Sequence, residues 1–173
     1  VKFDHRWEPH YNICPSQPVA TVLNDDSKEV KFVRWGLVPA WAKDPSIGNK
    51  LANARAEGIA EKPSFRSPFK RRRCLVLADG FYEWKRVPGQ TRKIPHYFRL
   101  RSQEIFALAG LWDVWKDQRG ESLTTCCLIT TTPNALLGQV HDRMPVILAP
   151  NRYRLWLDSA EQPADKLLDC LKP

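Results

Sequence analysis

Short runs of β-branched and aromatic residues dominate the hydrophobic pattern of this chain, and helical stripes are few. Residues 19–23 (VATVL), 30–36 (VKFVRWG), 74–78 (CLVLA), 94–100 (IPHYFRL), 105–110 (IFALAG), 123–131 (LTTCCLITT) and 145–148 (PVIL) read as strands. In 30–36, Val30, Phe32 and Val33 alternate imperfectly with Lys31 and Arg34, so the pattern fixes the strand but not its buried face. Pro88-Gly89 and Gln118-Arg119-Gly120 are turn signals between such runs and predict antiparallel hairpins. Thr132-Pro133 has the form of an N-cap followed by proline at the first helical position, opening a helix over 133–140. In 151–158, Tyr153, Trp156 and Leu157 share a helical face, and in 163–171 Leu167, Leu168 and Leu171 do the same. The sum predicts an α+β fold, β-rich, with a mostly antiparallel barrel-like sheet and a few peripheral helices. No repeat, low-complexity tract or linker divides the chain, so a single domain over 1–173 is expected.

Composition changes this picture little. A chain of 173 residues can bury a real core without disulfides, and 43% hydrophobic with 27% charged residues is ordinary for a globular protein. No run approaches the ~20 apolar residues of a membrane span. The opening VKFDHRWEPH lacks a signal-peptide pattern, which suggests an intracellular, membrane-free setting. The five cysteines (Cys14, Cys74, Cys126, Cys127, Cys170) include no CxxC pair, so neither a zinc ribbon nor a thioredoxin-type motif is indicated. Three of them lie in apolar runs, as reduced buried thiols do. No metal and no cofactor is called for.

Charge adds more. The net charge is +8, and residues 62–101 hold twelve Lys and Arg against only Asp79 and Glu83. A basic excess confined to one segment is the footprint of a polyanion partner, with a solvated basic surface as the plain alternative. Seven tryptophans, some beside basic residues (Arg34-Trp35, Trp84-Lys85-Arg86), tilt the balance toward single-stranded nucleic acid, although most are expected in the core.

Three clusters are hard to explain as packing. In LANARAEG (51–58), an extended backbone would put Asn53, Arg55 and Glu57 on one face and alanines on the other; a helix is the alternative. In ADGFYEWKR (78–86), Glu83 sits between Tyr82 and Trp84. It is either an ordinary surface carboxylate, or one shielded by aromatics and so able to pass protons near neutral pH. In HDRMPVIL (141–148), His141, Asp142 and Arg143 stand at a strand entrance, pairing a titratable ring with an anion-binding guanidinium.

NARAE (53–57), ADGFYEWK (78–85) and HDRMPVIL (141–148), with YNICPSQ (11–17) and WGLVPAWAKD (35–44), closely resemble the SOS response-associated peptidase (SRAP) family, whose members shield abasic sites in single-stranded DNA. The resemblance covers nearly the whole chain in the family's order. It implies a covalent mechanism in which an N-terminal cysteine attacks the ring-opened abasic sugar: its α-amine forms an imine and its thiol closes a thiazolidine. It further implies catalytic roles for Asn53, which would position cysteine and sugar, for Glu83 as proton shuttle, and for His141 as general acid/base. DNA-binding roles fall to Arg55 and Arg143 on phosphates, Trp41 and Pro15 against neighbouring bases, and Thr130 as a further phosphate contact. The implied partner is single-stranded DNA with abasic sites, bound by a monomer in the cytoplasm, at the nucleoid or in a nucleus.

The sequence departs from the family at its start. Members begin Met-Cys-Gly-Arg, whereas this chain begins Val1-Lys2, and it stops at Lys172-Pro173 before the family's last strand. Both ends are therefore expected to be trimmed, the alternative being a true variant without the nucleophile, and the polypeptide as it stands should not form the crosslink. Cys14 cannot substitute, because its amine is tied up in a peptide bond. Two other readings stand beside the abasic-site trap. One is a noncovalent module for single-stranded or modified DNA; the other is a cysteine-type peptidase acting on other proteins, whereas autoproteolytic or peptidase-like processing of the N-terminus belongs to the abasic-site trap itself.

Overall fold

A computed structural model of the chain describes residues 9–172 except 26 and 28; the Val1-Lys2 start and His5 lie outside the described residues. The strands are β1 (Pro18–Leu23), β2 (Val30–Trp35), β3 (Asn53–Arg55), β4 (Arg73–Ala78), β5 (Phe81–Lys85), β6 (Ile94–Phe98), β7 (Phe106–Lys116), β8 (Ser122–Thr131), β9 (Met144–Pro145) and β10 (Ile147–Leu148). Three short helices accompany them: α1 (Arg66–Arg71), α2 (Tyr153–Trp156) and α3 (Ala164–Asp169). Eight strands form one sheet, and pairing of β7 with β8 closes β7-β4-β1-β2-β8 into a five-stranded barrel. Most pairings are antiparallel, as expected; β2 and β3 run parallel to β8. The Gln118–Gly120 turn joins β7 to β8 as a hairpin. The turn at Pro88-Gly89 joins β5 to β6, a ribbon separate from the barrel.

Alternation along the barrel strands divides the core in two. Val19, Val33, Cys74, Val76, Phe106, Leu108 and Cys126, drawn from all five barrel strands, form one buried cluster and fill the lumen. Their neighbours Leu75, Ala107, Leu111, Cys127 and Ile129 point outward and are covered by Phe69 of α1, Trp156 of α2 and Leu167 of α3. A side chain on Gly110 of β7 would reach within 2.8 Å of the Cys74 sulfur and 2.9 Å of the Cys127 carbonyl oxygen, so β4, β7 and β8 pack closely only with glycine there. The thiols of Cys74, Cys126 and Cys127 are buried and unpaired, as their apolar runs imply; Cys170 is buried and unpaired as well, and Cys14 is exposed.

The basic segment is less uniform than its composition suggests. Arg73 is fully buried. Its Nε donates to the Trp156 carbonyl (2.9 Å), Nη1 to those of Phe69 (3.0 Å) and Lys70 (2.5 Å), and Nη2 to that of Asp158 (2.5 Å). Four hydrogen bonds from one planar group thus satisfy carbonyls at the end of α1 and at and just beyond the end of α2 that would otherwise lack partners. Arg72 pairs with Asp113 and lies over the Trp112 ring. These two cations hold the fold together and are not free for a polyanion. Of the tryptophans, Trp35, Trp112, Trp115 and Trp156 each donate the indole N–H to a protein acceptor. Trp41 and Trp84 are exposed.

One local expectation fails: the helix over 133–140 does not form. The Asn134 side chain accepts from Leu136 N–H (3.1 Å) and Leu137 N–H (3.0 Å), moving the cap two residues on from Thr132. Only one 3-10 turn follows, at Leu137–Gln139, with helix-poor Gly138 inside it. Conversely, α1 falls in the basic stretch, where its two buried residues, Pro68 and Phe69, make too short a stripe to register as periodicity.

Candidate functional site

β8 runs on past its β7 pairing, and its last residues collect the elements of the site. Arg55 of β3 lies in register with Thr130 on one side of β8, and Pro145 of β9 lies in register with Thr130 on the other. β3 is extended, so the helical alternative for 51–58 falls: Ala54 is fully buried while Asn53 and Arg55 are exposed on the opposite face. Beyond the strand, the Glu57 carboxylate accepts from both terminal nitrogens of Arg143, at 2.9 and 2.8 Å. Arg143 Nη2 also donates to the Thr130 carbonyl (2.6 Å) and approaches its hydroxyl (3.4 Å), while Nε is buried without an acceptor. The guanidinium fork is therefore fixed in direction, and it holds the Glu57 carboxyl below the usual range.

His141 enters on the loop before β9, its N–H bonded to the Leu137 carbonyl (2.9 Å). Its Nδ1 has four polar neighbours: Arg143 N at 3.1 Å, Arg143 O at 3.2 Å, Asp142 Oδ1 at 3.3 Å and Glu83 Oε2 at 4.0 Å. The amide can donate only to a bare Nδ1, and the oxygens can accept only from a protonated one, so the set of partners changes with the ring's protonation. Glu83 reaches this point from β5, 58 residues upstream of His141. Burial pushes its carboxyl up; His141, the Trp84 backbone N–H and Lys93 oppose that rise, and Asp142 reinforces it.

The shielding of Glu83 does not come from its sequence neighbours. On β5, Phe81, Glu83 and Lys85 face the body, while Tyr82 and Trp84 face away and are 39% and 45% exposed. Sequence reasoning missed two neighbours of these residues. Glu57 was placed on the right face, but no pattern links it to a partner 86 residues away. His96 lies in register with Glu83 across the ribbon and so shares its face; identifying 81–85 as a strand opposite 94–98 would have exposed the pair. His96 Nδ1 lies 3.1 Å from the Ile94 carbonyl, which can only accept, so this contact leaves Nε2 as the bare nitrogen of the neutral ring.

The fold thus brings Glu83, His141, Arg143, Thr130 and Glu57 into contact, with Asn53 and Arg55 on the adjoining strand. Trp41 (60% exposed) and Pro15 stand on exposed loops without a polar contact to this cluster. Among the described residues, no group of three or more His, Cys, Asp or Glu is placed to hold a metal, and no helix is long and apolar enough to cross a membrane.

The family model described as SOS response associated peptidase (SRAP) matches residues 1–173. The chain belongs to the SRAP family. It is 48% identical over 168 residues to the abasic site processing protein YoqW of Bacillus subtilis (strain 168), covering 96% of this chain and 75% of that relative. It is 33% identical over 203 residues to the abasic site processing protein HMCES of Rattus norvegicus, covering 95% of this chain and 58% of HMCES. Among solved structures, a protein from Bacteroides thetaiotaomicron superposes with a TM-score of 0.83 at 34% identity, covering 91% of this chain and 69% of that one. A protein from Bordetella bronchiseptica does so with a TM-score of 0.80 at 26% identity, covering 93% and 81%. The β-rich barrel with few short helices is therefore the SRAP fold, as the sequence motifs imply.

Proposed function

We propose that this SRAP protein binds single-stranded DNA and processes abasic sites in it through the Glu83–His141–Arg143 cluster. The observation that carries the reading is the convergence of an elevated carboxyl with an imidazole at 4.0 Å, beside a guanidinium whose direction is fixed. Two titratable groups this close suit the opening of the abasic sugar, one taking the proton that leaves the C1 hydroxyl as the other delivers a proton to the ring oxygen. Arg55, exposed on β3, takes one flanking phosphate, and Arg143 takes another by exchanging its Glu57 partner for it, with Thr130 as a further phosphate contact. Trp41 and Pro15 rest against neighbouring bases, and Asn53 orients the reacting sugar. Similarity to proteins named for abasic site processing supports the substrate.

The finer step is a thiazolidine crosslink made by an N-terminal cysteine. Its neutral α-amine adds to the C1 aldehyde and loses water to give an imine; the thiol then adds to the imine carbon and the nitrogen takes the proton. An α-amine with a pKa near 8 is partly neutral at cellular pH, so it needs no special tuning. Cys14 cannot do this: its nitrogen is an amide whose N–H donates to Gln17 Oε1 (2.7 Å). No other thiol is better placed. Cys74, Cys126, Cys127 and Cys170 are buried, and burial pushes Cys126 to about 12. The same inertness weighs against a cysteine-type peptidase built on this chain's thiols.

The test is incubation of the native protein, its first residue established by N-terminal sequencing, with an abasic single-stranded oligonucleotide. A denaturant-stable adduct that forms more slowly in Glu83→Gln supports the reading. An authentic N-terminal cysteine that gives no adduct overturns it in favour of a noncovalent single-strand binder, whose affinity would still fall steeply with salt.

A further inference from the structure

The β5–β6 ribbon carries its chemistry on one face only. The opposite face has no role in the site just described, yet it carries three of the six exposed aromatics among the described residues. Tyr82 and Trp84 of β5 and Tyr97 of β6 are 39%, 45% and 47% exposed. The Tyr82 and Tyr97 ring centroids lie 5.0 Å apart and those of Tyr82 and Trp84 6.4 Å apart, so the three rings form a contiguous surface. Tyr82 pairs in register with Tyr97, and Trp84 with Pro95, which extends the apolar row.

This surface is held firmly. On the inward face, Phe81 stacks on Phe98 (5.6 Å) and meets Phe106 of the barrel edge-on (6.4 Å). A side chain at Gly80 would come within 2.3 Å of the Tyr97 ring, so the ring lies directly over a glycine backbone. Such rigidity lowers the ordering cost of any ligand that stacks there.

Its surroundings select the ligand. Arg86 continues the exposed alternation of Tyr82 and Trp84, and Arg99 stands two residues beyond Tyr97; both are exposed. At the hairpin tip, Arg86, Arg92 and Lys93 line a shallow open cleft with Pro88 and Thr91. Residues 79–99 hold five cations against Asp79 and Glu83, and Glu83 faces inward. Flat rings bordered by cations match unpaired bases joined by phosphates. An acidic peptide would use the cations but leave the rings wet.

We propose that the outward face of the β5–β6 ribbon is a second track for single-stranded nucleic acid, on which bases stack against Tyr82, Tyr97 and Trp84 while Arg86 and Arg99 take the flanking phosphates. The track rests on the reading of the protein as a DNA binder, but it lies on the opposite side of the ribbon from Glu83. It would engage a strand segment beyond the one in the reactive site.

The experiment compares oligothymidylates of about 6 and about 20 nucleotides, spanning one binding site and more than one, without abasic residues. They are titrated against the native protein, a Tyr82→Ala/Tyr97→Ala double variant, Tyr82→Phe/Tyr97→Phe and Arg99→Gln. The expected result is a loss of about 10-fold or more for the long strand in the alanine variant, with little change for the short one. The phenylalanine variant should retain wild-type affinity, because stacking needs the ring and not the hydroxyl. Arg99→Gln should lower the dependence of log affinity on log salt by about one counterion for the long strand only. Equal affinities of the native and alanine proteins for the long strand would overturn the track while leaving the reactive site standing. So would a change in sedimentation mass or thermal midpoint with DNA binding intact, since the face would then be covered by protein. Native protein that binds neither strand would overturn both the track and the proposed function.

Discussion

In β4, Arg73 through Val76 are buried without a break, whereas β5, three residues further on, alternates half-buried and exposed positions from Phe81 to Lys85. The first pattern arises because a barrel wall has the lumen on one side and helices on the other. The second arises because a two-stranded ribbon has only one supported face. Two strands alone are marginal in water, so the ribbon depends on Phe81, Phe98 and Phe106 to fasten it. The contrast separates scaffold from working surface within one short stretch of chain. Where both faces are buried, substitution costs stability; where one face is free, residues of unlike chemistry can sit back to back. Glu83 and its neighbours Tyr82 and Trp84 are such a case.

The sharpest way to break this contrast is to cut both regions. Trp156→Ala removes the fully buried ring that packs α2 on the barrel and donates to the Cys74 carbonyl. It should destabilise the protein by about 3–5 kcal/mol in urea denaturation. Next in size, Arg143→Ala should weaken single-strand binding by about 1.5–3 kcal/mol, the range for hydrogen bonds to a charged group. Fluorescence anisotropy would read the loss, with only a small shift in the urea midpoint.

Glu83→Gln should raise the thermal midpoint at neutral pH. The folded protein holds the Glu83 proton more tightly than the unfolded chain does, so ionising this group costs stability as pH rises through its folded pKa. The amide removes that cost, and the two midpoints should converge at acidic pH, where Glu83 is protonated in both states. A scan in which the variant gains nothing at neutral pH would mean that Glu83 is not desolvated. The smallest effect belongs to Trp84→Ala, expected within about 0.5 kcal/mol of wild type because the ring packs little. A loss rivalling that of Trp156→Ala would abolish the distinction between scaffold and surface.

Much of the barrel was legible in advance. The runs at 19–23, 74–78 and 123–131 became β1, β4 and β8 to within a residue, because buried strands are written as continuous β-branched and apolar stretches. The run at 105–110 became an eleven-residue strand, β7, because Asp113 is buried against Arg72 and its polarity masked the continuation. β5 was not read as a strand because Phe81 inward and Tyr82 and Trp84 outward put aromatics on both faces, which hides the alternation. The site was legible only as clusters. Spacing put Asn53, Arg55 and Glu57 on one face, but the Glu57–Arg143 fork and the Glu83–His96 register are products of tertiary pairing, on which a local pattern is silent. The basic segment misled in part: Arg72 and Arg73 answer to a buried aspartate and to four carbonyls rather than to a ligand.

The bare Nδ1 of His141 is a landing place for the amide hydrogen of the residue that carries the fork, and the protonated ring must turn that hydrogen away and look to the carbonyl beside it. Which hydrogen the ring carries and which way the main chain turns at 143 are in this way two readings of one variable. A spectroscopic label on the ring nitrogen should see the neighbouring peptide plane answer in step.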